Sequence, residues 1–309
     1  MRINKTILAL AASVGLTALS ATAFAQQPVT AEGGYSVFTG TIADMTHTEY
    51  AAAVGRGAVA LWGLGVIEAH GPHLPLGTDV YGPYLNTRLA REALERRGIP
   101  ALVVPVFYWG VNRVTGAFPG SIDVRPEIMI EVMADVFRSL KRDGISTVFC
   151  VSGHGDAAHN RAIFEGVKRG AAAAGMRVYF VTNRMMAERI GLPLDDRHLV
   201  LTADPPAPAT PPATRPQPDV HAGAGETSSM LGNFPAVVRA DAIAALPPTN
   251  LTPEQLATWR RGGEHALQVT PNGYLGAPAD ANAERGRADA TRSAAALADA
   301  IAKTVASPR

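Results

Sequence analysis

Apolar residues occur along this chain in two kinds of block. The first kind is short and continuous: 58–67, 101–108, 146–151 and 176–182 carry Val, Ile, Leu, Phe and Trp with few polar interruptions. Runs of that length and composition predict buried strands of a parallel sheet. The second kind is longer and has helical spacing. Met129, Met133, Val136, Phe137 and Leu140 fall at i, i+4, i+7, i+8 and i+11, after Pro126 and before Gly144. One apolar face on a helix follows, opened by proline and closed by glycine. Similar blocks predict helices at 46–54, 80–97, 160–174, 226–231, 253–267 and 283–305. Strand, loop, helix and strand repeat, so the expected class is α/β: a mostly parallel central sheet covered by helices.

Two segments break this rhythm. Residues 203–218 are dominated by Ala, Pro and Thr and contain seven prolines. Fixed φ and missing N–H donors predict an extended surface excursion, read here as an insertion within one domain because polar chemistry resumes at Asp219. At the other break, Arg2 and Lys5 precede an apolar stretch from Ile7 to Leu19, and Ala23-Phe24-Ala25 ends it. That is the pattern of a secretory signal peptide, residues 1–25. The expected mature chain, 26–309, is a single exported domain, periplasmic or secreted, with no membrane association after cleavage.

Composition narrows the function. The chain has 309 residues, 47% hydrophobic and 18% charged, with a formal net charge of +1. That is a globular balance, and it lacks the basic surplus that nucleic-acid binding would need. A single cysteine, Cys150, excludes an internal disulfide framework and a thiolate zinc cluster. There is no G-x-S-x-G elbow and no phosphate-binding G-x-x-x-x-G-K-[ST] loop.

The chemistry concentrates in three segments. Glu68-Ala69-His70-Gly71-Pro72-His73 and Thr78-Asp79 place two histidines and two carboxylates just after a predicted strand. Open α/β sheets bind ligands at such strand ends, and imidazole with carboxylate suits Zn²⁺, Mn²⁺ or Fe²⁺. Gly153-His154-Gly155-Asp156 follows a second strand, and Asp219-Val220-His221 with Glu226 forms the third segment. Asp79 and Asp156 each also sit where an N-cap of the next helix belongs. His159 reads as structural. The three segments converge on a metal site without thiolates, and a metal pair can turn water into hydroxide at neutral pH, which is hydrolytic equipment.

These residues resemble the creatininase family. Glu68-x-His70-Gly71-x-His73-Leu74-Pro75-x-x-Thr78-Asp79 is close to its signature. Phe118-Pro119-Gly120-Ser121-Ile122, Gly153-His154-Gly155 and His221-Ala222-Gly223 with Glu226-Thr227-Ser228 are similar to its other motifs. The resemblance implies a three-layer α/β/α fold and two divalent metal ions, often Zn²⁺ with Mn²⁺ or a second Zn²⁺, and Fe²⁺ in some relatives. It implies hydrolysis of a non-peptide C–N bond in a small molecule, such as a cyclic amide or formamide, and a homo-oligomer, commonly a hexamer. By motif position Glu68 and His70 bind one metal each, Asp79 bridges them, and His154 and Asp156 complete the ligands. His221 is the implied catalytic histidine, with Glu226 the acid near it. The chain departs from the family at Asn112, Thr115 and Ala157.

Two other functions fit the same residues. One is a lactone or ester hydrolase on the same metals. The other is a periplasmic metal-binding protein without turnover. Whether His221 and Glu226 face the metal crevice separates the second from an enzyme.

Overall fold

In a computed structural model describing residues 36–203 and 218–307, five strands pair side by side, all parallel. They are β1 (Val59–Leu64), β2 (Ala101–Phe107), β3 (Thr147–Ser152), β4 (Arg177–Thr182) and β5 (Leu199–Leu201), in the order β2-β1-β3-β4-β5. The helices are α1 (His47–Gly55), α2 (Thr78–Glu95), α3 (Pro126–Arg142), α4 (Ala157–Ala174), α5 (Arg184–Arg189), α6 (Ala224–Asn233), α7 (Ala240–Ile243), α8 (Pro253–Trp259), α9 (Glu264–Val269) and α10 (Ala283–Ala306). The expected signal peptide and most of the proline-rich stretch lie outside the described residues. No helix among the described residues is long and apolar enough to cross a membrane.

Alternation along the strands builds two cores. On one face Ala60, Trp62 and Leu64 of β1 meet Met129, Met133 and Phe137 of α3 and Ile163 and Val167 of α4. On the other, Val59 and Leu61 meet Ala90 and Leu94 of α2 and Leu297 and Ile301 of α10. Neighbouring strand residues point to opposite faces, so one apolar run feeds both layers. The predicted face of α3 is the buried one: Met129, Met133, Phe137 and Leu140 are inaccessible or nearly so. Each such side chain contributes about 1.5–3 kcal/mol by leaving water. The result is the expected three-layer α/β/α arrangement.

Two local findings differ from the sequence reading. The helix expected over 253–267 is split into α8 and α9, because Gly262 (φ 74°) and Gly263 (φ 57°) take positive-φ conformations between them. In addition, β5, α5 and α7 have no counterpart among the predicted elements.

The sheet order puts β1 and β3 side by side, in register from Ala60 with Val148 to Leu64 with Ser152. Their carboxyl ends therefore open into one crevice. Gly65 and Gly153 follow those two ends. A β-carbon at either position would run into the carbonyl of Asp79. Their lack of a side chain lets the first turn of α2 sit directly across both strand ends.

Candidate metal centre

The loop after β1 is pinned by its own backbone and by its neighbours. Glu68 N donates to Leu76 O (2.9 Å), and Ala69 N donates to Ser121 Oγ (2.9 Å). Glu68 and His70 are buried and turn inward. His70 Nδ1 lies 3.1 Å from Glu68 O, which fixes the protonated nitrogen there and leaves Nε2 facing the crevice. Nε2 is 3.2 Å from Asp79 Oδ1, 3.6 Å from Glu68 Oε1 and 3.7 Å from Glu226 Oε2.

Asp79 stands inside the first turn of α2. The N-cap of that helix is Gly77, and no side chain caps it. The carboxylate is therefore free for the crevice and spans it. Oδ1 faces His70, and Oδ2 lies 2.7 Å from His154 Nδ1. His154 Nδ1 is also 3.1 Å from Glu68 Oε1. Two ligand groups result: Glu68, Asp79 and His154 on one side, and His70, Asp79 and Glu226 on the other. Asp79 is common to both, as a bridging carboxylate must be.

A third group, Glu68, His70 and His221, borrows its first two members from the others. His221 is the residue left over. Its Nε2 is 2.7 Å from Ala69 O, and its Nδ1 is 3.7 Å from Glu68 Oε1. Donation from Nε2 to the carbonyl leaves a lone pair on Nδ1, aimed at the crevice. The next residue, Ala222, is held at φ 48° and donates its N–H to Glu226 Oε2 (2.6 Å). A left-handed backbone outside glycine is costly, and here it turns His221 and Glu226 toward the same point.

The electrostatics call for cations. Glu68, Asp79 and Glu226 bring three carboxylates together, and Glu68 and Asp79 are almost fully buried. Burial alone would lower the pKa of His70, but Asp79, Glu68 and Glu226 outweigh it and push it up to about 10. His154 is likewise raised by Glu68 and Asp79 against the pull of burial. Burial would raise Asp79, but His70 and His154 hold its carboxyl well below the usual range. Without cations the cluster thus borrows protons to balance its charge. Two divalent cations balance three carboxylates and leave one positive charge for an anionic oxygen. His70 Nε2 is buried and its near neighbours are carboxylate oxygens of Asp79, Glu68 and Glu226, which fits a ligand atom. The residues present fit a metal pair.

Asp156, expected as a fifth ligand, is not brought to the cluster. It caps α4: Oδ1 accepts from Ala158 N (2.6 Å) and His159 N (3.4 Å). Oδ2 accepts from Arg113 N (2.8 Å) and Val114 N (3.0 Å). Four backbone donors occupy both oxygens. Glu226, expected as an acid near His221, also reaches His70 and stands in a ligand group. His159 is buried behind His154, and burial with the neighbouring His154 lowers it to about 3, so it stays neutral. Sequence reasoning gave no role to the His73 Nε2–Thr227 Oγ1 pair (2.8 Å), which ties the ligand loop to α6 beside Glu226. Both residues stand in the family-like motifs, which was the signal available.

The family profile described as creatinine amidohydrolase matches residues 43–301. The chain belongs to the creatininase family. A mycofactocin precursor peptide peptidase of Mycobacterium tuberculosis (strain ATCC 25618 / H37Rv) is 30% identical over 248 residues, 79% of this chain and 82% of that one. The creatinine amidohydrolase of Pseudomonas putida is 27% identical over 227 residues, 71% of this chain and 80% of that one. Among solved structures, a creatinine amidohydrolase (creatininase) superposes with a TM-score of 0.61 at 22% identity, covering 87% of this chain and 99% of that one. A structure described as creatininase with Mn gives the same score and coverage. These structural likenesses establish the creatininase fold for this chain.

Proposed function

We propose that this creatininase-family hydrolase cleaves a C–N amide bond in a small molecule or short peptide, using two divalent cations held at the β1–β3 crevice. The carrying observation is the bridging position of Asp79, with one oxygen toward His70 and the other toward His154. A bound cation pair supplies a Lewis acid for a carbonyl oxygen and lowers the pKa of water. One cation would be held by Glu68, Asp79 and His154, the other by His70, Asp79 and Glu226. Two Zn²⁺, or Zn²⁺ with Mn²⁺, suit this donor set, and Fe²⁺ is compatible with it.

The remaining residues handle protons and position. His221 needs no cation, so its Nδ1 can accept a proton from the attacking water and pass it to the departing nitrogen. Its Nε2 stays committed to Ala69 O, which keeps the ring from turning away. A carrier without turnover has no use for this arrangement. The relatives named above act on creatinine in one case and on a precursor peptide in the other. The reading therefore covers amides generally, and the restriction to non-peptide bonds is not retained. The signal-peptide pattern of residues 1–25 supports export, and the family supports a homo-oligomer.

The test is metal analysis of the purified protein, followed by a hydrolysis panel of cyclic amides, formamides, short peptides and lactones. Two equivalents per chain and amide turnover are expected. His221→Ala should keep both cations and lose about 10²–10⁴-fold in kcat. Unchanged turnover in that variant removes the proton role, and lactone turnover alone replaces the amide reading.

A further inference from the structure

We infer that Asp156 is a positioning residue: it clamps the 112–115 loop to the start of α4, so that Thr115 holds Glu68 with a single oxygen toward its cation. This rests on the metal reading above and adds to it a control on ligand geometry.

Glu68 divides its two oxygens between two tasks. Its contacts with His70, His154 and His221 all run through Oε1. Oε2 lies against the Thr115 hydroxyl, whose single proton is shared between Glu68 Oε2 and Asn112 Oδ1 (2.8 Å). An unrestrained carboxylate could rotate or chelate through both oxygens. The hydroxyl removes that freedom, provided Thr115 is itself fixed.

Thr115 is fixed from its backbone. Its N–H donates to Asn112 Oδ1 (3.2 Å), and Asn112 N donates to Asp123 Oδ1 (2.8 Å). The two N–H groups just before it, of Arg113 and Val114, both end on Asp156 Oδ2. The other oxygen of Asp156 caps α4, two residues beyond His154. Asn160 Nδ2 closes the same turn onto His154 O (2.7 Å) and Asp156 O (2.8 Å). One buried carboxylate thus locks together the segments that carry two ligands of one cation, His154 directly and Glu68 through Thr115. Aspartate has the right length for this. A glutamate would carry its oxygens one methylene past these donors.

Asn112, Thr115 and Asp156 are therefore connected to one another: the hydroxyl that positions Glu68 depends on the loop that Asp156 holds. Outer partners of metal ligands commonly carry about 10–100-fold in metal affinity.

The experiment compares Asp156→Asn, Asp156→Glu, Thr115→Val, Thr115→Ser and the Asp156→Asn/Thr115→Val double variant. The readouts are Zn²⁺ affinity against a chelator, equivalents bound at saturation, and the visible spectrum of the Co²⁺-substituted protein. Asp156→Asn and Thr115→Val should each still take two equivalents, weaken one of them about 10–100-fold, and shift the Co²⁺ bands. The double variant should be no worse than the weaker single variant within about twofold, because both break the same connection. Thr115→Ser should restore the wild-type spectrum, and Asp156→Glu should be impaired like Asp156→Asn.

One equivalent at saturation in Asp156→Asn would make Asp156 a ligand and overturn the inference. Multiplying losses in the double variant would overturn it by showing independent effects. Should the Asp156 variants fail to fold, an unshifted Co²⁺ spectrum in Thr115→Val refutes the inference and a shifted one restored by Thr115→Ser supports it. A wild-type chain that takes up no cation defeats the metal reading itself, a result distinct from all of these.

Discussion

The first turns of α2 and α4 look alike in the sequence and do opposite work. Each follows a strand and a glycine-containing loop, and each carries an aspartate where a cap belongs. Asp156 is the N-cap and spends both oxygens on backbone N–H groups. Asp79 is two residues past its N-cap, Gly77, inside the helix, where its side chain makes no cap bond. Its oxygens are left for His70 and His154. A carboxylate in the first helical turn rather than at the cap can serve a cation while still favouring the helix dipole. A shift of two residues relative to the cap separates a scaffold carboxylate from a bridging one.

The sharpest way to break this contrast is Asp79→Asn. An amide cannot bridge two cations as a carboxylate does, so the variant should lose both equivalents. Activity should fall about a thousandfold or more, the scale of losing several kcal/mol of Lewis-acid stabilisation. Metal content and kcat measured on one preparation decide it, and retention of both cations would make Asp79 a bystander.

Removing the cations should expose the charge imbalance at the α2 end. In the metal-free protein His70 is held at about 10 against an ordinary value near 6.5. A raised folded pKa gives stability that is full below about pH 6.5 and disappears as pH climbs through about 10. Thermal unfolding of the chelated protein should therefore shift to lower temperature between pH 7 and pH 10. The loaded protein should be flatter over that range, because the cations bind the unprotonated imidazoles and release their protons. Equal slopes with and without metal would show that His70 does not face a cation.

The same contrast explains what the sequence disclosed. β1 to β4 were legible because strands buried on both faces are continuously apolar, and α3 because its apolar stripe is unbroken. Glu68, His70 and His154 were legible because costly polar groups follow the ends of apolar strands, and Asp79 because it closes the motif that Glu68 and His70 open. β5 has three residues and α5 has six, too few for either period to show. The 253–267 block kept a helical composition, yet tertiary packing put both glycines of its middle at positive φ. Asp156 could not be sorted from Asp79 by spacing, because its deciding partners, Arg113 and Val114, are backbone atoms about forty residues away. Every residue type but proline offers an N–H there, so no side-chain pattern marks it. Glu226 was legible as functional, but its place beside His70 depends on the strained backbone of Ala222.

The smallest effect belongs to stability at the α4 end. Asp156→Ala removes a cap and leaves two loop donors unpaired, which should cost about 2–4 kcal/mol. Asp156→Asn keeps a good cap, but its amide presents donors to Arg113 N and Val114 N. Its loss should be about 1–2 kcal/mol, the cost of the loop bonds alone, because the cap survives. Denaturant midpoints of the metal-free variants give both numbers. The gap between them isolates the worth of the cap from that of the clamp. If Asn proves as damaging as Ala, the loop bonds dominate at Asp156, and the region is held chiefly by the 112–115 loop rather than by the helix it caps.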